Sequence, residues 1–465
     1  MHPVRATLFL LVSTLAIACG SKGTGTGGHG GHGGQGTGGH GTAGGTTGTG
    51  GHGGSAPACG TDAWSTYGHD ARRTSASDGC VNGPLTTAWR YAPEAAAGKK
   101  VNAVFNAVAQ SDAVFVEWSA NNDPYLGTTA ADRVDAAGQR VWTFDSGTDS
   151  NLGNWPSIAW TSLVLNEDGI YLLDLATGMK TGGNGVDDWG QTLTDGSRLY
   201  VVNDSHVDGP GIYVGAYDQA LKQLWQQNTY GMCRIDAGDV AGGIALDGGT
   251  LFYAPSYSLG QGVMLSFSSG VYAFDPADGT QKWFQDTMPT SGISAGGGLV
   301  YLIESDTNLV ARKQSDGTLA WSAPVTGPGT QAPVLAGGRV IVGTAQGVSA
   351  FDAATGKDAW TATVTGAAAQ AFNLMFSGGC VAGSGQWSGN QFGTAVATTT
   401  LAAAAGNGTL VVTAFDGVHL LSIADGKETW TGMPAQASGP VRNPVIVGST
   451  VYVVDTGGVL ALKGM

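Results

Sequence analysis

The sequence predicts an all-β fold: a β-propeller of eight four-stranded antiparallel blades, its ring closed by pairing the N-terminal and C-terminal strands. Three observations point there. Aromatic and β-branched residues recur along the chain, while long runs of helix formers are nearly absent. Glycine, at 78 of 465 residues, is far above its usual share and recurs as turn punctuation. One phrase also keeps returning at a spacing of roughly 40 residues, the length four strands and their turns require.

Taken in chain order, residues 1–18 read as a secretory signal. Arg5 supplies the positive start, and Leu8-Phe9-Leu10-Leu11-Val12 with Leu15-Ala16-Ile17 supplies an apolar run too short to span a bilayer permanently. The run ends in Ala16-Ile17-Ala18-Cys19-Gly20, which resembles the bacterial lipobox; the resemblance implies cleavage before Cys19 and lipidation of that cysteine. Gly20 and Ser21 follow it, and by resemblance to Gram-negative lipoproteins that implies the outer membrane. The alternative is an ordinary secreted protein cut near Ala18.

Residues 19–58 are almost entirely Gly, Thr, His and Ser, and such a segment buries no apolar surface. It reads as a tether with a root-mean-square reach of roughly 35 Å. His29, His32, His40 and His52 lie in it, without the scaffold a metal site needs, and none is assigned as a ligand. With Cys19 used by lipid, Cys59, Cys80, Cys233 and Cys380 remain, an even number that suits disulfides in an exported protein. Cys59–Cys80 is the favoured pair, closing a loop worth about 3 kcal/mol in the chain-entropy picture. Cys233–Cys380 is what is left over.

Residues 59–465 form the propeller. The recurring phrase is a hydrophobic strand ending in Asp, a Gly turn, and a strand bearing Trp, as in Val271–Trp283 (VYAFDPADGTQKW) and Val348–Trp360 (VSAFDAATGKDAW). Further copies end at Trp142, Trp225, Trp321 and Trp430, and a degenerate one carries Gly182 where Trp would fall. The long steps from Trp225 to Trp283 and from Trp360 to Trp430 imply insertions around Cys233–Phe267 and Phe372–Ala405. Those seven copies are completed by the two chain ends. Asn443–Met465 supplies three strands without a Trp strand, and Leu85–Pro93 is a Trp strand without a blade. Seven blades follow instead if the Gly182 unit merges with a neighbour.

The DxxxGxxxW phrase resembles the pyrroloquinoline-quinone (PQQ) type repeat, found in quinoprotein dehydrogenases and in the propeller lipoprotein of the outer-membrane barrel-assembly machine. Trp64–Ser77 (WSTYGHDARRTSAS) with the following PLTTAWRY also resembles the opening of such propellers. The resemblance implies either a scaffold or an enzyme, because this fold hosts both.

The enzyme reading, a PQQ-dependent alcohol or sugar dehydrogenase with calcium, lacks the adjacent cysteine pair of many such enzymes. The domain has few Glu, with Glu117, Glu167, Glu304 and Glu428 scattered among strands and turns, and its acidic phrases are repeat turns. Gly292-Ile293-Ser294-Ala295-Gly296 matches a nucleophile elbow, but no helix pattern follows it. His206 between Asp204 and Asp208 reads either as a cation-binding loop tip or as a solvated turn. Residues 378–400, with Cys380, Trp387 and Phe392, read as a loop of binding composition or as a passive rim. The net charge of −14 argues against nucleic acid and against contact with anionic headgroups.

The expectation is therefore a non-catalytic, lipid-anchored scaffold at the cell envelope that binds a protein or an extracellular polymer. No catalytic, metal or cofactor-binding residue is assigned to it. It meets the membrane through its anchor alone.

Overall fold

The computed structural model describes residues 59–464 except 124–125, 151–155, 168, 185–190, 204–212, 230–242, 255–269, 306, 328–330, 368, 378–389 and 399–400. Cys19, Cys233, Cys380, His206 and its two aspartates lie outside the described residues.

Strand-forming residues alternate with Gly/Asp turns, and each group of four strands pairs as an antiparallel meander. Eight such sheets are present. The outer strands of blades 1 to 7 are Arg140–Ser150, Lys180–Gly183, Gln223–Asn228, Gln281–Asp286, Leu319–Pro324, Asp358–Thr363 and Glu428–Gly432. Blade 8 takes Arg442–Val447, Thr450–Asp455 and Gly458–Gly464 from the C-terminus and Leu85–Tyr91 from the N-terminus. That last strand runs antiparallel to Gly458–Gly464, with Leu85 opposite Gly464 and Tyr91 opposite Val459. Pairing the chain ends removes two sheet edges and closes the ring. The Gly182 unit is a blade in its own right, so the count is eight.

First strands of neighbouring blades touch one another around a central axis, and the fourth strands lie outermost. The apolar core is accordingly a set of slabs between blades. One slab joins Phe252 and Trp283 of blade 4 to Ile293, Val300 and Leu302 of blade 5. Another joins Phe115 and Trp142 of blade 1 to Leu163 and Leu165 of blade 2.

Each outer strand also carries a bulge at the residue ahead of the Trp position, from Ala88 in blade 8 to Thr429 in blade 7. A bulge raises local twist, which suits strands that must splay outward from an axis.

Of the two expected insertions, the second contains a hairpin, Ala369–Ser377 paired in register with Asn390–Thr398. Residues 390–398 are thus a strand where the sequence reads as loop. The first insertion falls mostly outside the described residues.

Candidate functional site

The repeat phrase has a physical basis in the blade junctions. In six of them the turn glycine takes φ between +70° and +83° and lies against the Trp ring of the preceding blade, where a Cβ would sit 2.4 to 2.7 Å from ring atoms. The same rings donate their indole N–H to a carbonyl of that turn at 2.8 to 3.0 Å: Trp89 to Ala136, Trp142 to Leu175, Trp225 to Pro276, Trp283 to Gln314, Trp321 to Ala353 and Trp360 to Ile423. The Asp that opens many of these turns accepts their backbone N–H groups; Asp135 Oδ1 takes those of Ala137 and Gln139. Asp, Gly and Trp therefore assemble blades, and their chemistry is spent there.

The central channel is occupied at one end by the chain itself. Residues 59–81 form a belt that visits the inner strands of blades 1 to 7 in order and then the first turn of blade 8. Trp64 exchanges two backbone hydrogen bonds with Ala109 in blade 1, and Ser65 O accepts from Ile158 N in blade 2. Thr66 Oγ1 donates to Thr192 O in blade 3. Carbonyls of Ala71, Arg72, Thr74 and Ser75 then accept from Leu246, Ala295, Leu335 and Ala404 in blades 4 to 7. Cys80 N donates to Gly448 O in blade 8. Innermost strands would otherwise leave backbone groups unpaired toward the axis, and the belt satisfies them. His69, Arg73 and Ser75 take positive φ to follow this tight path.

Arg73 is the hub. It is fully buried, with Nε donating to Ile244 O at 2.8 Å and Nη2 to Thr192 O at 3.0 Å, while Nη1 reaches Thr66 Oγ1. Burial lowers its guanidinium to about 10, and the nearby Tyr67 and Asp70 partly counter that. A disulfide between Cys59 and Cys80, with Cα atoms 5.2 Å apart, joins the two ends of the belt. Beside it, His69 Nε2 lies 2.8 Å from Asp62.

The belt sits at the end of the propeller formed by the first-to-second strand turns: Gly79 approaches Gly448 and Asp78 approaches Gly406, both in such turns. In a four-stranded meander the second-to-third connections and the links between blades emerge at the opposite end. The hairpin of Ala369–Ser377 and Asn390–Thr398 lies in such a link, between the outer strand of blade 6 and the inner strand of blade 7.

Chemistry that the sequence raised is absorbed elsewhere. Ser294 opens the inner strand of blade 5, fully buried, with Oγ 2.9 Å from Arg73 O and 2.6 Å from Pro333 O, so it is a belt anchor. Glu304 is held bidentately by Arg312 at 2.8 and 3.0 Å. Glu428 faces the Nδ1 of His419, whose Nε2 lies 2.9 Å from Asp416. His419 is fully buried on the third strand of blade 7 and ties two carboxylates of that blade together. Glu117 is buried within blade 1.

A calcium-bound quinone needs several convergent carboxylate and carbonyl donors. Among the described residues no three His, Cys, Asp or Glu side chains converge as a metal site.

Sequence reasoning missed the belt, Arg73 and His419. Trp64–Ser77 is polar and aperiodic, so no pattern announced that it would line an axis. Apart from Gly68, its positive-φ residues (His69, Arg73 and Ser75) are not glycines, and no local signal marks them.

A family model described as outer membrane protein assembly factor BamB matches residues 268–382. No curated protein matches the chain. Among solved structures, a quinohemoprotein alcohol dehydrogenase from Comamonas testosteroni is similar at 13% identity and a TM-score of 0.55, over 87% of this chain and 81% of that one. BamB from Moraxella catarrhalis is similar at 13% identity and a TM-score of 0.54, over 82% and 100%. A europium-containing methanol dehydrogenase is similar at 13% identity and a TM-score of 0.58, over 87% and 98%. At such identities the likeness is one of fold.

Proposed function

We propose that this chain, an eight-bladed β-propeller of PQQ-like repeats, works as a non-catalytic scaffold, lipid-anchored through Cys19 at the outer membrane, that binds a protein segment. The observation that supports this reading is the division of labour between the two ends of the channel. The belt fills one end with the chain's own backbone. The opposite end receives the hairpin of Ala369–Ser377 and Asn390–Thr398, and such insertions are the usual carriers of recognition on a rigid scaffold. The similarity to BamB, an assembly factor by name, favours a protein partner over a small substrate. Glu304, Glu428 and Ser294, the groups with which the enzyme reading could begin, are engaged in structural contacts.

Titration of PQQ with calcium into the chain from Cys59 onward, read by calorimetry, tests this directly. The scaffold reading expects no binding at micromolar concentrations, and stoichiometric binding replaces it with a quinoprotein dehydrogenase. Crosslinking in intact cells, followed by identification of the adducts, then finds the partner. Radiolabelled palmitate incorporation that survives Cys19→Ser would remove the anchor from the proposal.

A further inference from the structure

We infer that the Cys59–Cys80 disulfide is a load bypass: it carries tension arriving from the chain ahead of Cys59 past the belt and into the ring-closing strand. The belt is held to each blade by one or a few hydrogen bonds, and these follow one another in chain order from blade 1 to blade 8. A pull on Cys59 along an uncrosslinked chain would meet them singly, the weakest way to load a set of bonds. Once the few hydrogen bonds of Gly60 and Asp62 to Ser77 and Asp78 had given way, Trp64 would be the first to leave a blade, and the inner strands would lose their partners in turn.

The geometry avoids this. Having circled the axis, the belt ends where it began, with the Cα atoms of Cys59 and Cys80 only 5.2 Å apart. The bond between them is therefore a short covalent path in parallel with a long loop, and under tension the loop stays slack.

Beyond Cys80 the path is well fastened. Cys80 N donates to Gly448 O at 2.8 Å. Val81 is bonded both ways to Asn407, its N–H to Oδ1 at 3.2 Å and its carbonyl from Nδ2 at 2.9 Å. Leu85–Tyr91 follows, paired along its length with Gly458–Gly464. The load thus enters at blades 7 and 8, and Arg73 and the channel end it fills are spared.

Under the proposed function an anchor ahead of Cys59 supplies the pull. The device itself is loaded directly in the test, so failure of one is distinguishable from failure of the other. Single-molecule force spectroscopy would use one handle ahead of Ser55 and a second on a bio-orthogonal residue at Lys357, an exposed turn position in blade 6.

In the oxidised chain the first event is expected to be opening of the propeller. In the Cys59→Ser/Cys80→Ser chain a separate step should precede it at lower force, releasing about 70 Å, the contour of the freed belt. A serine variant that ruptures first at the same force as the oxidised chain, with belt and propeller coming apart together, overturns the inference. Should that variant fail to fold, the wild-type chain folded first and then reduced in the pulling chamber gives the same comparison.

Discussion

At Gly356 the backbone takes φ +70°, and a Cβ there would lie 2.4 Å from the Trp321 ring; at Gly298 φ is +79° and the space is open. Both positions share the left-handed penalty of about 1 kcal/mol for a residue with a Cβ, but only the first adds a clash of about 1–3 kcal/mol. Gly356→Ala should therefore destabilise clearly more than Gly298→Ala in denaturant unfolding, and equal losses would mean that the ring contact carries no weight.

Blade 3 is the natural exception. Its turn places Leu221 at φ +58°, four residues before Trp225, where the other turns have glycine. The preceding blade has Gly182 in place of Trp, so no ring occupies that space, and Leu221 is buried with Leu172, Val201 and Tyr217. The two departures compensate each other. Leu221→Gly should cost about 1–3 kcal/mol, lost packing partly offset by relieved strain. Adding Gly182→Trp should recover part of that loss, and a double-mutant cycle reads the coupling.

The belt is an element without regular secondary structure, stable because its polar groups are used by the inner strands of blades 1 to 7 and the first turn of blade 8. Arg73 makes this concrete. Arg73→Leu leaves Ile244 O and Thr192 O buried without that donor, and each such loss costs about 1–3 kcal/mol. A loss of roughly 3 kcal/mol in urea unfolding, with hydrogen exchange rising first over residues 64–75, is expected; loss of stability without local exchange would place the effect elsewhere. The turns are elements of the opposite kind, local in origin. Asp174, Asp278, Asp316, Asp352 and Asp425 have their carboxyls held below the usual range by hydrogen bonds from Thr177, Thr280, Thr318, Thr355 and Ser422.

For the whole molecule these turn carboxylates set the acid limit. A carboxyl whose folded value is depressed contributes stability above its unfolded value near 3.8, and that contribution is lost as pH falls through the folded value. Asp132 runs the other way: burial raises its carboxyl, with Tyr91 donating to it at 2.6 Å, so its contribution fades as pH rises. The depressed group is the larger, so stability should fall progressively below about pH 4, followed by urea midpoints across pH. A midpoint that rises below pH 4 would show that raised carboxyls such as Asp132 dominate. The net charge of −14 adds repulsion at neutral pH that acid removes, and raised salt separates that effect from the turns.

Local, periodic signals make one part of the molecule legible in the chain alone. The Asp-Gly-Trp phrase is both a turn and an inter-blade contact, so the blade ends could be read at Trp142, Gly182, Trp225, Trp283, Trp321, Trp360 and Trp430, and the closure by Leu85–Tyr91 followed from what each chain end lacked. Cys59 and Cys80 were legible as a pair by their proximity in the chain, and they are joined. Folding in three dimensions was needed to show that residues 59–81 circle the axis, that Arg73 is buried at its centre, that Leu221 answers Gly182, and that 390–398 is a strand. All but the last depend on groups far apart in sequence, such as Arg73 with Ile244 or Ser294 with Pro333. No residue's own preferences encode a partner that the fold must first bring within reach.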